Sequence, residues 1–200
     1  RAAATPRVDA ATPPPAPGLG RPPQEGATPT GAGVAFATSK SPCPSGNLVT
    51  VSRITAPGTR SLHQRVRDRS VAIEGAEWNS PLALALPDRK SELRIDFGAP
   101  RDVKYFVLQG DNNDQYLVEG SLDGIGYLPL WTAPDVPEPG LRTRHTLLAK
   151  AQRVRHLRVS PRGGDGYFSI SEFQAYCVAP KPWPPKLKVK PRRPGVLGMW

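Results

Sequence analysis

The sequence predicts an all-β body, a sandwich or jelly roll of seven or eight short strands, set between two proline-rich arms. Three observations predict it. Apolar and polar residues alternate with period two, turn-forming Gly, Pro and Asx residues separate most of the runs, and no stretch sustains a helical period. In order, Leu93-Arg-Ile-Asp-Phe97 puts Leu93, Ile95 and Phe97 on one face, and Val103-Lys-Tyr-Phe-Val-Leu-Gln109 is β-branched and aromatic enough for a buried strand. Tyr116-Leu-Val-Glu-Gly-Ser121, the turn signal Asp123-Gly124 and Tyr127-Leu-Pro-Leu-Trp131 follow. Arg144-His-Thr-Leu-Leu148, Val154-Arg-His-Leu-Arg-Val159 and Ile170-Ser-Glu-Phe-Gln-Ala-Tyr-Cys177 complete the series, and Leu48-Val-Thr-Val-Ser52 precedes it. A body of this size buries about two-thirds of its unfolded surface, enough for one independent core.

Proline draws the boundaries. Of 25 prolines in 200 residues, ten fall in residues 1–44 and six in 178–200, leaving nine for the 133 residues between. The leading segment has scarcely a large apolar residue before Val34 and Phe36, so burial cannot offset its ordering entropy. We therefore expect a Pro/Ala-rich flexible linker over 1–42, a β-sandwich over 43–177 and a basic, proline-rich tail over 178–200. The net charge of +10 divides as +2, +2 and +6 over these segments, so the basicity belongs to the tail. A nucleic-acid-binding domain carries its basic face on the folded body, and no nucleic-acid partner is expected. No apolar run approaches the roughly 18 residues that cross a bilayer. The chain opens on Arg1 without a methionine or a signal-peptide pattern, which reads as a processed product or a fragment.

Cys43 and Cys177 are the only cysteines. They cannot build a structural zinc site, which wants four ligands, and no activating base stands near either in sequence. A bridge between the two ends of the body and a pair of unpaired buried thiols both remain open. The bridge would close a long loop, worth ~4–5 kcal/mol in the chain-entropy picture, and would imply an oxidising compartment, periplasmic or extracellular. No Gly-x-Ser-x-Gly elbow, HExxH pair or phosphate loop is present, and His63, His145 and His156 are isolated, so no enzymatic activity is expected.

Several segments together resemble one family. Ser91-Glu-Leu-Arg-Ile-Asp-Phe-Gly98, Val103 to Gly110, Tyr116-Leu-Val-Glu-Gly-Ser-Leu-Asp-Gly124, Leu130-Trp131, Arg153 to Val159 and Ile170 to Cys177 match, in order and spacing, the strands of discoidin (coagulation-factor 5/8 type C) domains. The resemblance covers about residues 68–177, with Cys43 standing as the first cysteine of the family's end-to-end disulfide. It implies an eight-stranded, galactose-binding-like jelly roll that binds glycans, anionic lipids or proteins through loops opposite its termini, and that is rarely catalytic. The segment before Trp78 is short, and no solvent-facing pair of large apolar residues on a loop is evident, which argues against insertion into a membrane by that route.

Under that fold, the loops 110–115 and 161–167 lie at one end, bordered by the segment 74–81. The candidate ligand-binding residues are Trp78, Asn79, Asp111, Asn113, Asp114, Arg162, Asp165 and Tyr167. They supply paired donors and acceptors for vicinal hydroxyls and aromatic faces for a sugar ring. Asx- and Gly-rich loops are also ordinary turn chemistry. No cofactor is expected; calcium is an option at Asp111 and Asp114. The expected function is a non-catalytic, exported carbohydrate-binding module at the cell envelope. The alternative is a structural subunit that docks to a protein partner in a larger envelope complex. The tail, with Trp183 and Trp200 among its lysines, is read as a spacer or as a contact to an anionic membrane surface.

Overall fold

The computed structural model describes residues 43–56 and 63–190. The expected linker 1–42 and the end of the expected tail, 191–200, lie outside the described residues. Two short 3-10 turns, Leu48–Val51 and Gln64–Val66, accompany nine strands. These are β1 (Arg53–Thr55), β2 (Ser70–Val71), β3 (Leu84–Leu86), β4 (Leu93–Gly110), β5 (Tyr116–Ser121), β6 (Leu128–Ala133), β7 (Arg142–Pro161), β8 (Phe168–Tyr176) and β9 (Lys188–Val189). Seven form one antiparallel sheet in the order β3-β8-β4-β7-β5-β6, with β1 added beside β4, and β2 pairs in parallel with β9.

One sheet makes both layers of the sandwich because β4 and β7 are long enough to serve in each. The first half of β4 (Leu93–Asp96) pairs with His156–Val159 of β7, in the layer that holds β1, β5 and β6. Its second half (Tyr105–Gly110) pairs with Arg142–Leu147 of β7 and with β8, in the layer that holds β3. Register shifts between Asp96 and Arg101 and between Val103 and Tyr105 mark the crossing. Alternation predicts separate strands at 93–97 and 103–109, and at 144–148 and 154–159. The chain joins each pair, since a bulge bends a strand from one layer to the other without ending its ladder.

Between the layers Phe106 stacks on Phe173 (6.0 Å between centroids) and on Trp131 (6.2 Å), with Leu93, Ile95, Leu108, Leu157, Phe168 and Ile170 buried around them. Cys43 and Cys177 form a disulfide with Cα atoms 6.0 Å apart, so the bridge, and not the pair of free thiols, is what the chain uses. Every residue of β8 is buried. Its core face carries Phe168, Ile170, Phe173 and Ala175, while Ser169, Ser171 and Gln174 meet a second covering layer. In that layer Ala72 N–H donates to Ser171 Oγ (3.1 Å), and Gln109 Nε2 donates to Ala72 O (3.0 Å).

The expected tail begins too early at residue 178. Trp183, suited by composition to a lipid interface, packs edge-on against Tyr105 (5.1 Å) and His145 (5.7 Å). Further on, β9 adds to β2, Lys190 N–H donates to Val71 O (2.9 Å), and Lys190 is ion-paired with Asp68. Proline spacing marks this segment as irregular, but edge contacts of one half-buried indole and one short ladder fix 178–190 to the body.

Glu172 lies beneath this covering layer, fully buried. Its Oε1 accepts from Gln174 Nε2 (2.8 Å), and its Oε2 has no partner. Burial pushes its carboxyl up to about 8. The folded chain therefore keeps a proton that the unfolded chain releases above the ordinary carboxylate range. That stability is complete at low pH and is lost as pH rises from about 4.5 towards 8. The thermal midpoint should fall by about 5 °C or more between pH 5 and pH 8, and Glu172→Gln should make the decline shallower. Calorimetry across that range checks this; a flat wild-type profile would contradict it.

Candidate functional site

The ladder brings four connections to the end of the sandwich opposite the disulfide. Gly110 pairs with both Arg142 and Ile170, and Tyr116 pairs with Ala133 and Pro161. Hence the loops 111–115, 134–141 and 162–167 emerge side by side, and the segment 72–80 docks onto them through Gly75 N–H to Leu141 O (3.0 Å) and Leu141 N–H to Ala76 O (2.7 Å). Convergence of the Trp78 segment with the two expected loops is as the sequence predicts. The fourth loop, 134–141, it did not signal.

Arg144 organises the floor of this end. It is 5% exposed, projects from β7, and lies over the Tyr116 ring (5.5 Å to the centroid). Its guanidinium donates to Asp111 O (2.9 Å), Asp114 O (3.2 Å) and Pro134 O (3.0 Å), tying two loops to one strand. Asn112 adds a second tie. Its carbonyl accepts from Val136 N–H (2.8 Å), its Nδ2 donates to Val136 O (3.2 Å), and its Oδ1 accepts from Gly140 N–H (2.9 Å). Gly140, at φ +81°, lies so close to the Trp78 segment that a Cβ there would stand 2.6 Å from Ala76 O. Neither Arg144 nor Asn112 was singled out from sequence. The available signal was phase: Arg144 falls on the same strand face as Leu148, which packs against the core.

Asp111 and Asp114, expected on the rim, are buried instead at 5% and 0% exposure. Asp111 Oδ1 accepts from Asn112 N–H (3.0 Å), and burial raises its carboxyl above the ordinary range. Asp114 faces inward because Tyr116 draws it there. Tyr116 Oη lies 2.9 Å from Asp114 Oδ2 and 2.9 Å from Ser169 O, and accepts from Ser169 N–H (3.1 Å). One phenolic hydrogen cannot serve both oxygens. Burial, with the neighbouring Asp111, pushes Asp114 up to about 7, against the opposing pull of the Tyr116 hydroxyl. The backbone carbonyls of both Asp111 and Asp114 accept from Arg144. Among the described residues no group of three or more His, Cys, Asp or Glu side chains is arranged to hold a metal.

The remaining candidates face solvent together. Trp78 and Tyr167 pack with centroids 5.0 Å apart at 38°, and Tyr167 is 59% exposed. Asp165 accepts from Asn113 Nδ2 (2.9 Å) and from Tyr167 N–H (3.0 Å), which hold its carboxylate below the usual range and ionised. Arg162 N–H donates to Gln115 O (2.8 Å) while its side chain is exposed, as is Asn79. The result is an aromatic platform beside a fixed amide–carboxylate pair. At the opposite end the structure corrects one expectation. Leu122, Ile125 and Leu128, on and beside the β5–β6 turn, are 56%, 87% and 72% exposed. Asp123 turns that loop tightly by accepting from Ser121 Oγ (2.8 Å), Ile125 N–H (2.8 Å) and Gly126 N–H (3.0 Å), leaving the apolar side chains outside.

Gly164 has φ +110°, and a Cβ there would stand 1.8 Å from Asp114 Oδ1. At Gly163 a Cβ would meet Gln115 at an ordinary 3.5 Å. Gly164→Ala should therefore destabilise the chain by about 1–3 kcal/mol and Gly163→Ala by well under half of that, as read by denaturant unfolding. Equal effects would mean that the 162–167 loop does not rest on Asp114.

No family model matches the chain, and no curated protein matches it. Solved structures do. A carbohydrate-binding module from Clostridium perfringens, CpGH89CBM32-6, aligns over 66% of this chain and 98% of its own at 15% identity, with a TM-score of 0.50. A chitosan-binding module from a chitosanase/glucanase of Paenibacillus sp. IK-5 aligns over 66% and 98% at 19% identity, with a TM-score of 0.45. CpGH89CBM32-5 of Clostridium perfringens, in complex with GalNAc-β-1,3-galactose, aligns over 66% and 99% at 16% identity, also at 0.45. At such identities it is the fold that is shared, and on the first of these alignments the chain has the discoidin, galactose-binding-like jelly roll.

Proposed function

We propose that this chain is a non-catalytic, exported module that binds carbohydrate at the cell envelope through the loops 72–80, 111–115 and 162–167. The observation that carries the reading is the half-buried Trp78 packed on the exposed Tyr167, beside the bonded Asn113–Asp165 pair. An aromatic face suits the apolar face of a pyranose, and a fixed amide and carboxylate at its edge suit hydroxyls that both donate and accept. Loops tied beneath by Arg144 and Asn112 present these groups with little ordering left to complete on binding. The shared fold of a carbohydrate-binding module and the Cys43–Cys177 bridge, which belongs in an oxidising compartment, agree with it.

The second reading, a subunit docking to an envelope protein, has one observation on its side: the exposed Leu122, Ile125 and Leu128 at the other end. One experiment separates the two. The full chain is screened on a glycan array, and affinities for the sugars retained are measured by calorimetry. Trp78→Ala and Tyr167→Ala should each weaken binding by roughly tenfold or more while leaving the thermal midpoint within about 3 °C. Loss of binding on Leu128→Ser, with Trp78→Ala unaltered, or no glycan retained at all, would overturn the carbohydrate reading.

A further inference from the structure

Four arginines away from the site are spent on carboxylates, whereas Arg65, Arg67 and Arg69 donate to backbone or neutral side-chain oxygens. Arg94 pairs with Glu92, Arg158 with Glu92 and Glu119, Arg155 with Asp96, and Arg153 with Asp102. Two exposed arginines beside the 163–167 loop have no such partner among the described residues. Arg89, on the turn between β3 and β4, reaches 75 positions along the chain to donate from Nη2 to Gly164 O (2.8 Å). Gly164 lies three residues from Tyr167, at most about 11 Å along an extended chain. Arg162 opens the same loop, its backbone fixed to Gln115 O.

Carboxylates at this end do not answer these charges. Asp165 already accepts from Asn113 and Tyr167. Asp111 and Asp114 are buried. Asp135 accepts from Gln115 Nε2 (2.9 Å), and Glu74 from Gln109 Nε2 (2.9 Å) and Thr143 N–H (3.2 Å). The exposed Glu77 and Glu138 belong to the other two loops, 72–80 and 134–141. Arg89 and Arg162 thus both bear on the loop that carries Tyr167, with no carboxylate partner among the described residues.

Resting on the carbohydrate reading above, we propose that the ligand is an acidic glycan whose carboxylate or sulfate is bound by Arg89 and Arg162 beside the sugar stacked on Trp78 and Tyr167. Guanidinium suits either anion, presenting parallel donors to two oxygens. The test uses the full chain with matched probes: galacturonan oligosaccharides and their methyl esters, and sulfated and unsulfated galactan oligosaccharides. An acidic member should bind at least roughly tenfold more tightly than its neutral counterpart, with the advantage shrinking between 50 and 500 mM salt. Arg89→Ala and Arg162→Ala should each reduce the preference, and the double variant should bring the acidic member to the affinity of the neutral one. Preference for galacturonan identifies the anion as carboxylate, and preference for sulfated galactan as sulfate. Equal affinity for charged and neutral members, unaltered in the double variant, would overturn this inference and leave the carbohydrate reading standing. Binding of no member by wild type, on these probes or on the array, would overturn both.

Discussion

A single buried guanidinium sets the geometry of everything at the candidate binding end. Arg144 has no carboxylate in direct contact; its compensation is three backbone carbonyls from two loops and the face of Tyr116. Burial lowers its pKa, yet a guanidinium stays charged under any ordinary condition. The carbonyls therefore have to remain where they are, since withdrawing one would leave an uncompensated charge out of water. Asp114 and Tyr116 extend the constraint to Ser169 at the start of β8, and Gly164 rests on Asp114 Oδ1. Strand, floor and rim form one connected set, and the exposed groups inherit its rigidity.

The rest of the molecule supplies the frame for that set. Long, bulged strands carry one sheet through both layers, so the loops at one end come from strands whose register is fixed far away in the core. The Cys43–Cys177 bridge closes the opposite end. The covering layer over β8, completed by Trp183 and β9, turns a strand with four polar side chains into one buried on both faces. Glu172 is the cost of that arrangement, a carboxyl kept neutral by its surroundings.

Much of this was legible in the sequence, and the limits have physical causes. Period-two alternation located the body's main strands because one face of each meets the core. The same alternation could not show that 93–110 and 142–161 are continuous, since a bulge breaks phase just as a turn does. Composition found the site loops through their Asn, Asp and Gly residues, but could not separate Asp165, which faces solvent, from Asp114, which a phenol two residues away draws inward. Arg144 escaped notice because a charged residue in an amphipathic strand is ordinarily solvent-facing. Trp183 was assigned to a tail because its neighbours are prolines and lysines, although an indole needs only one apolar surface to dock.

The proposed binding end is the set of loops opposite the disulfide. It is tested most directly by recording amide chemical shifts of the labelled full chain while a bound glycan is titrated in. Perturbations should concentrate in residues 76–80, 111–115 and 162–167 and in the Trp78 indole, with residues 122–128 unmoved. Shifts centred on Leu122, Ile125 and Leu128, with the Trp78 loop silent, would contradict it.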